Sequence, residues 1–182
     1  MGIPTLIKTL TASGDSSLAF VDGTASVVLD NTYDEYMFVF TDINPATDSA
    51  EFTFQANVAG GSGYNEAIVT SLFRAQHDEA NSDASMGYST AQDQVGTAFQ
   101  GLGKDIGNGS DESLSGILHL FSPSSTTYVT HFYSRTNFYH ATPYAFDVHV
   151  GGYFNLTGAI DEIQFKMDSG NFDGVIQLYG IA

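Results

Sequence analysis

The sequence contains no cysteine, and only five of its 182 residues are Lys or Arg. Without cysteine the chain can form no disulfide, has no thiolate metal ligand and has no cysteine nucleophile. The few cations stand against 21 Asp and Glu residues, which gives a formal net charge of −16. Because nucleic-acid phosphates are bound mainly through Lys and Arg, this charge argues against a nucleic-acid partner.

Long apolar segments are also missing. No run approaches the roughly 18 apolar residues of a membrane helix, and residues 1–8 lack the apolar centre of a signal peptide. These two absences predict a soluble protein without membrane insertion. Helical spacing of apolar residues is not sustained anywhere, and only the segment from Thr90 to Ala98 could form a helical turn. With 42% hydrophobic residues, the chain can build one core, which predicts a single domain over residues 1–182.

Strand patterns fill most of the chain. Apolar residues alternate with polar ones from Ile163 to Met167, and aromatic and β-branched runs recur between turn residues. About eight to ten such runs predict an all-β fold, an antiparallel, jelly-roll-like sandwich. The alternation also predicts seven core side chains, which are Phe38, Phe40, Phe52, Phe54, Ile163, Phe165 and Met167.

The last two runs are joined by the turn-rich segment 168–174. This pattern predicts a hairpin between the strand that contains Phe165 and the final run from Val175 to Tyr179. Such an apolar terminus is predicted to be fixed within a sheet. Two polar, glycine-rich segments, Asp78 to Ser89 and Gly101 to Glu112, are the predicted functional loops.

The second of these segments carries closely spaced oxygen ligands of the kind that calcium prefers. The candidate ligands are Asp105, Asn108, Asp111 and Glu112, although their spacing departs from the EF-hand series. An exposed turn explains the same residues more simply. No cofactor is therefore predicted.

Histidines and aromatic residues cluster in the second half of the chain. Asp147 and His149 share one strand face, where they could join a metal site or orient a general base. A polar outer face or a subunit contact is the favoured alternative, and no zinc motif is present. The aromatic residues could stack on sugars, but an interface or core role is preferred. The interface candidates are Phe132, Tyr133, Phe138, Tyr139 and Tyr144.

Four segments resemble proteins of a widespread family in tailed bacteriophages, especially marine ones. They read TLIKTLTASGDSSLAFVDG, YDEYMFVFTDINPATDSAEFTFQ, IGNGSDESLSGILHLFSPSSTTYVTHFYSRTNFY and IDEIQFKMDSGNFDGVIQLYGIA. The family is mostly known as virion structural or fibre proteins. The shared patterns are strands and turns, so the resemblance brings no catalytic residues with it. It implies a virion component that is assembled in the host cytoplasm.

Three functions are consistent with these observations. The preferred one is a non-enzymatic structural protein on the virion exterior, either a capsid decoration or a fibre component. Its acidity suits a surface turned away from DNA, and its lack of cysteine suits assembly in a reducing cytoplasm. The alternative is a lectin-like module that binds host-surface glycans, and a polysaccharide-degrading enzyme ranks last. We expect the chain to associate with itself, as a homotrimer, and with other virion proteins.

Overall fold

The computed structural model describes residues 2–182, which form thirteen strands and no helix. The strands are β1 (Thr5–Asp15), β2 (Ser17–Val21), β3 (Glu35–Pro45), β4 (Ala50–Val58), β5 (Ile68–Asp78), β6 (Ala84–Tyr88), β7 (Val95–Gly96), β8 (Gln100–Ile106), β9 (Leu114–Phe121), β10 (His131–Tyr139), β11 (Tyr144–Phe154), β12 (Ile160–Met167) and β13 (Phe172–Ile181). No helix that could cross a membrane occurs among these residues.

Two antiparallel sheets face each other across one core. The large sheet has nine strands in the order β1-β13-β3-β9-β10-β11-β5-β6, with β7 paired to β5 beside β6. The small sheet has the order β2-β12-β4-β8. The predicted all-β sandwich is confirmed.

Phenylalanine rings fill the space between the sheets. All seven predicted core side chains are buried, and Phe165 of the small sheet is fully so. Its ring centroid lies 5.2 Å from that of Phe38 and 5.2 Å from that of Phe40, both in the large sheet. Strict alternation along each strand turns these rings to one side, so a single face of each sheet supplies the core.

The predicted hairpin at the end of the chain is wrong. Strand β12 lies in the small sheet and β13 in the large one, so segment 168–171 carries the chain from one sheet to the other. Strand β13 pairs with β1 on one edge and β3 on the other, so both of its edges have a hydrogen-bonded neighbour. The expectation that the terminal run is fixed within a sheet is confirmed.

Both predicted loops contain a strand. Segment Asp78 to Ser89 includes β6, which forms a hairpin with β5, and segment Gly101 to Glu112 includes most of β8. Glycine allows β8 to pack closely, because a side chain at Gly103 would collide with those of Leu114 and Phe138. The helical turn predicted over Thr90 to Ala98 is also wrong, since this segment holds a short turn and β7.

Candidate functional site

The face of the large sheet that points away from the core is the broadest continuous surface of strands in the molecule. We call it the outer face. On β11, the side chains of Phe146, Val148 and Val150 are buried, so Asp147 and His149 lie on the outer face, as the alternation predicts. Cross-strand neighbours share a face, so the register of β9, β10, β11 and β5 identifies the other outer-face residues.

A cluster of polar and aromatic side chains lies at the centre of the outer face. The Arg135 guanidinium donates two hydrogen bonds to the Asp147 carboxylate, Nε to Oδ1 at 3.1 Å and Nη2 to Oδ2 at 2.8 Å. His149 Nε2 lies 3.7 Å from Asp147 Oδ1, and the His149 ring stacks on Phe73 with centroids 4.7 Å apart. The Arg135 hydrogen bond holds the pKa of Asp147 below its usual value. Asp147 is therefore an ionised, oriented acceptor.

A shallow depression of about 310 Å³ opens beside this cluster. Its lining residues are Ser115, Gly116, Arg135, Thr136, Asn137 and Asp147. A side chain at Gly116 would collide with the backbone at Arg135 and Thr136, so glycine is needed for strands β9 and β10 to pair closely here. The depression presents a guanidinium, a carboxylate and a side-chain amide, groups that can hydrogen-bond a polar ligand such as a sugar.

A second cavity, of about 360 Å³, lies where the outer face meets the start of the chain. Its lining residues are Gly2, Pro4, Glu35, Met37, His119, Tyr133 and Ile181. His119 is almost buried, its Nδ1 contacts the Glu35 carboxylate, and its ring stacks on Tyr133 with centroids 4.5 Å apart. The cavity walls are mainly apolar, so it can take the apolar side chain of a partner.

The free edge of the large sheet carries an exposed apolar patch. Phe73 pairs with Tyr88, and Val69 pairs with Val95, so these side chains share the outer face. Exposed fractions are 45% for Phe73, 56% for Tyr88, 77% for Met86 and 86% for Val95. We call these four residues the edge patch. Exposed apolar clusters of this kind mark interaction surfaces.

The five predicted interface residues divide between core and surface. Phe132 and Phe138 are 3% exposed and pack in the core, so neither is available to a partner. Tyr133 is 45% exposed on the outer face, while Tyr139 and Tyr144 are half-buried. The edge patch was missed because strand β6 is short and was assigned to a polar loop.

The four calcium candidates do not form a common cage. The Glu112 carboxylate accepts a hydrogen bond from the Gly109 N–H at 2.7 Å, and Asn108 Nδ2 contacts the Ala46 carbonyl. Asp105 lies 3.9 Å from His140 Nε2 instead. Only the Glu112 contact lies within the turn, and the contacts of Asn108 and Asp105 are made with residues outside it. Among residues 2–182, no three His, Asp or Glu side chains converge in a way that could hold a metal ion.

Comparison of the chain with protein-family models, curated proteins and solved structures gives no match.

Proposed function

We propose that this protein is a non-enzymatic structural subunit on the exterior of a bacteriophage virion, as a capsid decoration or fibre component. The bacteriophage assignment rests on the sequence resemblance. The observation that carries the structural role is the wide outer face with its exposed apolar edge patch.

The strand order supports the interpretation as a jelly roll. Strands β1-β13-β3-β9 of the large sheet face β2-β12-β4-β8 of the small sheet. Within this set of eight, successive strands of the chain alternate between the two sheets, except that β4 and β8 both lie in the small sheet. The remaining strands are two insertions, β5 to β7 and β10 to β11, which widen the large sheet. Jelly rolls build both viral shells and lectin domains, so this order favours the two leading functions equally.

The edge patch favours a second copy of the chain as a partner. Strand β6 reads Ala-Ser-Met-Gly-Tyr and is exposed along its whole length, yet it contains no charged residue. Sheet edges in monomeric proteins are usually protected by charges, proline or bulges. In a chain of net charge −16, a contact made mainly by uncharged side chains also limits repulsion between identical subunits. Self-association through this edge and the outer face follows, with threefold symmetry implied by the phage resemblance.

We expect the purified protein to be a trimer in light scattering at micromolar concentration and high salt. Replacing Tyr88 by Glu should shift the mass to that of a monomer, because the new carboxylate adds charge to the edge patch and lies near Asp93. The matched control is Tyr128→Glu, since Tyr128 is 76% exposed on the segment between β9 and β10 and outside the edge patch. A monomeric wild-type protein would contradict the proposed association, and a dimer would contradict its threefold symmetry.

The depression beside Arg135 and Asp147 favours a second candidate function, recognition of host-surface glycans. Its oriented carboxylate and amide can accept and donate hydrogen bonds to sugar hydroxyls. The stacked rings of His149 and Phe73 add an apolar surface nearby. In this case the protein belongs at a fibre tip.

Electron cryo-microscopy of the parent virion tests the proposal and separates the two candidates. A structural decoration should occupy many symmetry-related positions on the outside of the shell. Density for this fold restricted to the ends of tail appendages would favour the glycan-binding module. Absence of the chain from purified virions, checked by mass spectrometry, would overturn both.

A further inference from the structure

Strand β12 contains a β-bulge that places two carboxylates side by side. Ile160 pairs with Val58 and Glu162 pairs with Asn57, so Asp161 is an extra residue without a partner on β4. The side chains of Ile160 and Ile163 are both buried in the core. Asp161 and Glu162 between them therefore lie on the opposite side of the small sheet.

The amide of Asn57 lies beside this pair and has an unused oxygen. Asn57 is directly opposite Glu162 in the register and is 5% exposed. Its Oδ1 is buried and has no hydrogen-bond partner. The loop that follows β4 covers it closely, because a side chain at Gly61 would come within 2.8 Å of this oxygen.

Asp161 also has a buried oxygen without a partner. Its Oδ1 accepts no hydrogen bond, whereas one oxygen of Glu162 accepts the Tyr64 hydroxyl at 2.8 Å. Unpartnered buried oxygens are costly and rare in native proteins, so each calls for a missing ligand.

No basic side chain supplies the missing positive charge. None of the salt bridges formed by residues 2–182 includes Asp161 or Glu162. Lys166 is on the same strand, but its ammonium group lies 4.2 Å from the ring centroid of Phe99. The cluster thus combines negative charge, two unused buried oxygens and no counterion.

We propose that Asp161, Glu162 and Asn57 bind a divalent cation, Ca²⁺, at the bulge of β12. Carboxylate and amide oxygens are the ligands that Ca²⁺ takes, and its flexible coordination accepts water at the remaining positions. The bound ion would tie β12 to the end of β4 and to the loop above Gly61. This inference does not depend on the proposed virion role.

Calorimetric titration of CaCl₂ into the full chain, after treatment with EDTA and desalting, tests the site. We expect one Ca²⁺ per chain and a higher melting temperature with Ca²⁺ than without it, because a ligand of the folded state stabilises that state. Asp161→Asn should weaken binding at least about tenfold. In metal-free buffer the same variant should melt no lower than the wild type, since it removes a buried unpaired charge. Glu162→Gln is the second variant, as it keeps an acceptor for Tyr64 while removing one charge.

The matched control is Asp111→Asn, which changes an exposed carboxylate in the turn that the sequence suggested for calcium. It should bind Ca²⁺ within about twofold of the wild type. Loss of binding in this control alone would move the site to that turn and overturn the proposal. Absence of heat and of any melting shift up to about 10 mM Ca²⁺ would also overturn it.

Discussion

Replacing Phe165 by Ala is expected to lower the free energy of unfolding by about 3–5 kcal/mol, the range observed for large aromatic truncations in cores. Phe165 is fully buried, and three phenylalanine rings lie within 6 Å of its ring centroid, those of Phe38, Phe40 and Phe52. The rings of Phe20 and Phe54 follow at 6.3 Å. Both sheets contribute to this group. The cavity left by Ala would therefore face rings that cannot collapse without moving a sheet.

The matched control for this prediction is Phe73→Ala. Phe73 is 45% exposed on the outer face, where its ring stacks on His149. Its removal leaves no internal cavity, and we expect a loss within about 1 kcal/mol. Chemical denaturation of both variants provides the comparison. Equal losses at the two positions would contradict the assignment of Phe165 to the centre of the core.

The core could be predicted because it depends on a local pattern. Alternation fixes which side of a strand each residue faces, whatever the strand pairs with. Phe38, Phe40 and Phe165 were therefore identified without knowing the strand order. The same alternation places Phe132 and Phe138 on the face opposite Tyr133. An interface prediction based on aromatic content alone does not separate these two faces.

Strand partners could not be predicted in the same way. The turn residues of segment 168–174 suit a hairpin, but they equally suit a crossing between two facing sheets. The choice is made by partners distant in the chain, because β13 satisfies both of its edges only between β1 and β3. Strand β6 has only a weak alternation of apolar and polar residues, and β8 contains glycines. The sequence therefore did not predict these two strands.

The candidate sites depend on the register between paired strands, so most of their contacts could not be predicted from the sequence. The sequence placed Asp147 and His149 on one face, but the contact of Arg135 with Asp147 needs the pairing of β10 with β11. The unpaired Asp161 exists only because β12 contains an extra residue relative to β4. No local motif marks either feature.

The second large effect is expected at Glu51, whose replacement by Gln should stabilise the protein above neutral pH. Burial raises the pKa of Glu51, Lys104 opposes this rise, and the charges of Asp168 and Asp105 add to it, so that the pKa reaches about 7. A side chain at Gly101 would collide with the Glu51 carboxylate, which shows how closely β8 packs on it. The folded protein therefore favours the protonated acid.

The sign of the pH dependence follows from this raised pKa. Between about pH 4.5, where the unfolded chain releases the proton, and about pH 7, the folded state binds more protons than the unfolded state. The contribution of Glu51 to stability is therefore present at low pH and falls as pH rises through this window. Since each pKa unit corresponds to about 1.4 kcal/mol, the fall is at most about 3.5 kcal/mol. Solvent screening of this partly exposed carboxyl reduces the fall to about 2–3 kcal/mol.

Glu51→Gln removes this ionisation and keeps a side chain of the same size. Urea unfolding at about pH 5 and about pH 8 should show a small difference between variant and wild type at the lower pH. At the higher pH the variant should be more stable by about 2 kcal/mol. Subtracting the free energy of unfolding of the wild type from that of the variant at each pH cancels the contribution of all other titrating groups. Glu79→Gln, at an exposed glutamate in the turn after β5, should show no such pH-dependent gain. If Glu51→Gln has the same effect at both pH values, Glu51 is ionised in the folded protein throughout, and the close packing of β8 does not hold it in the neutral form.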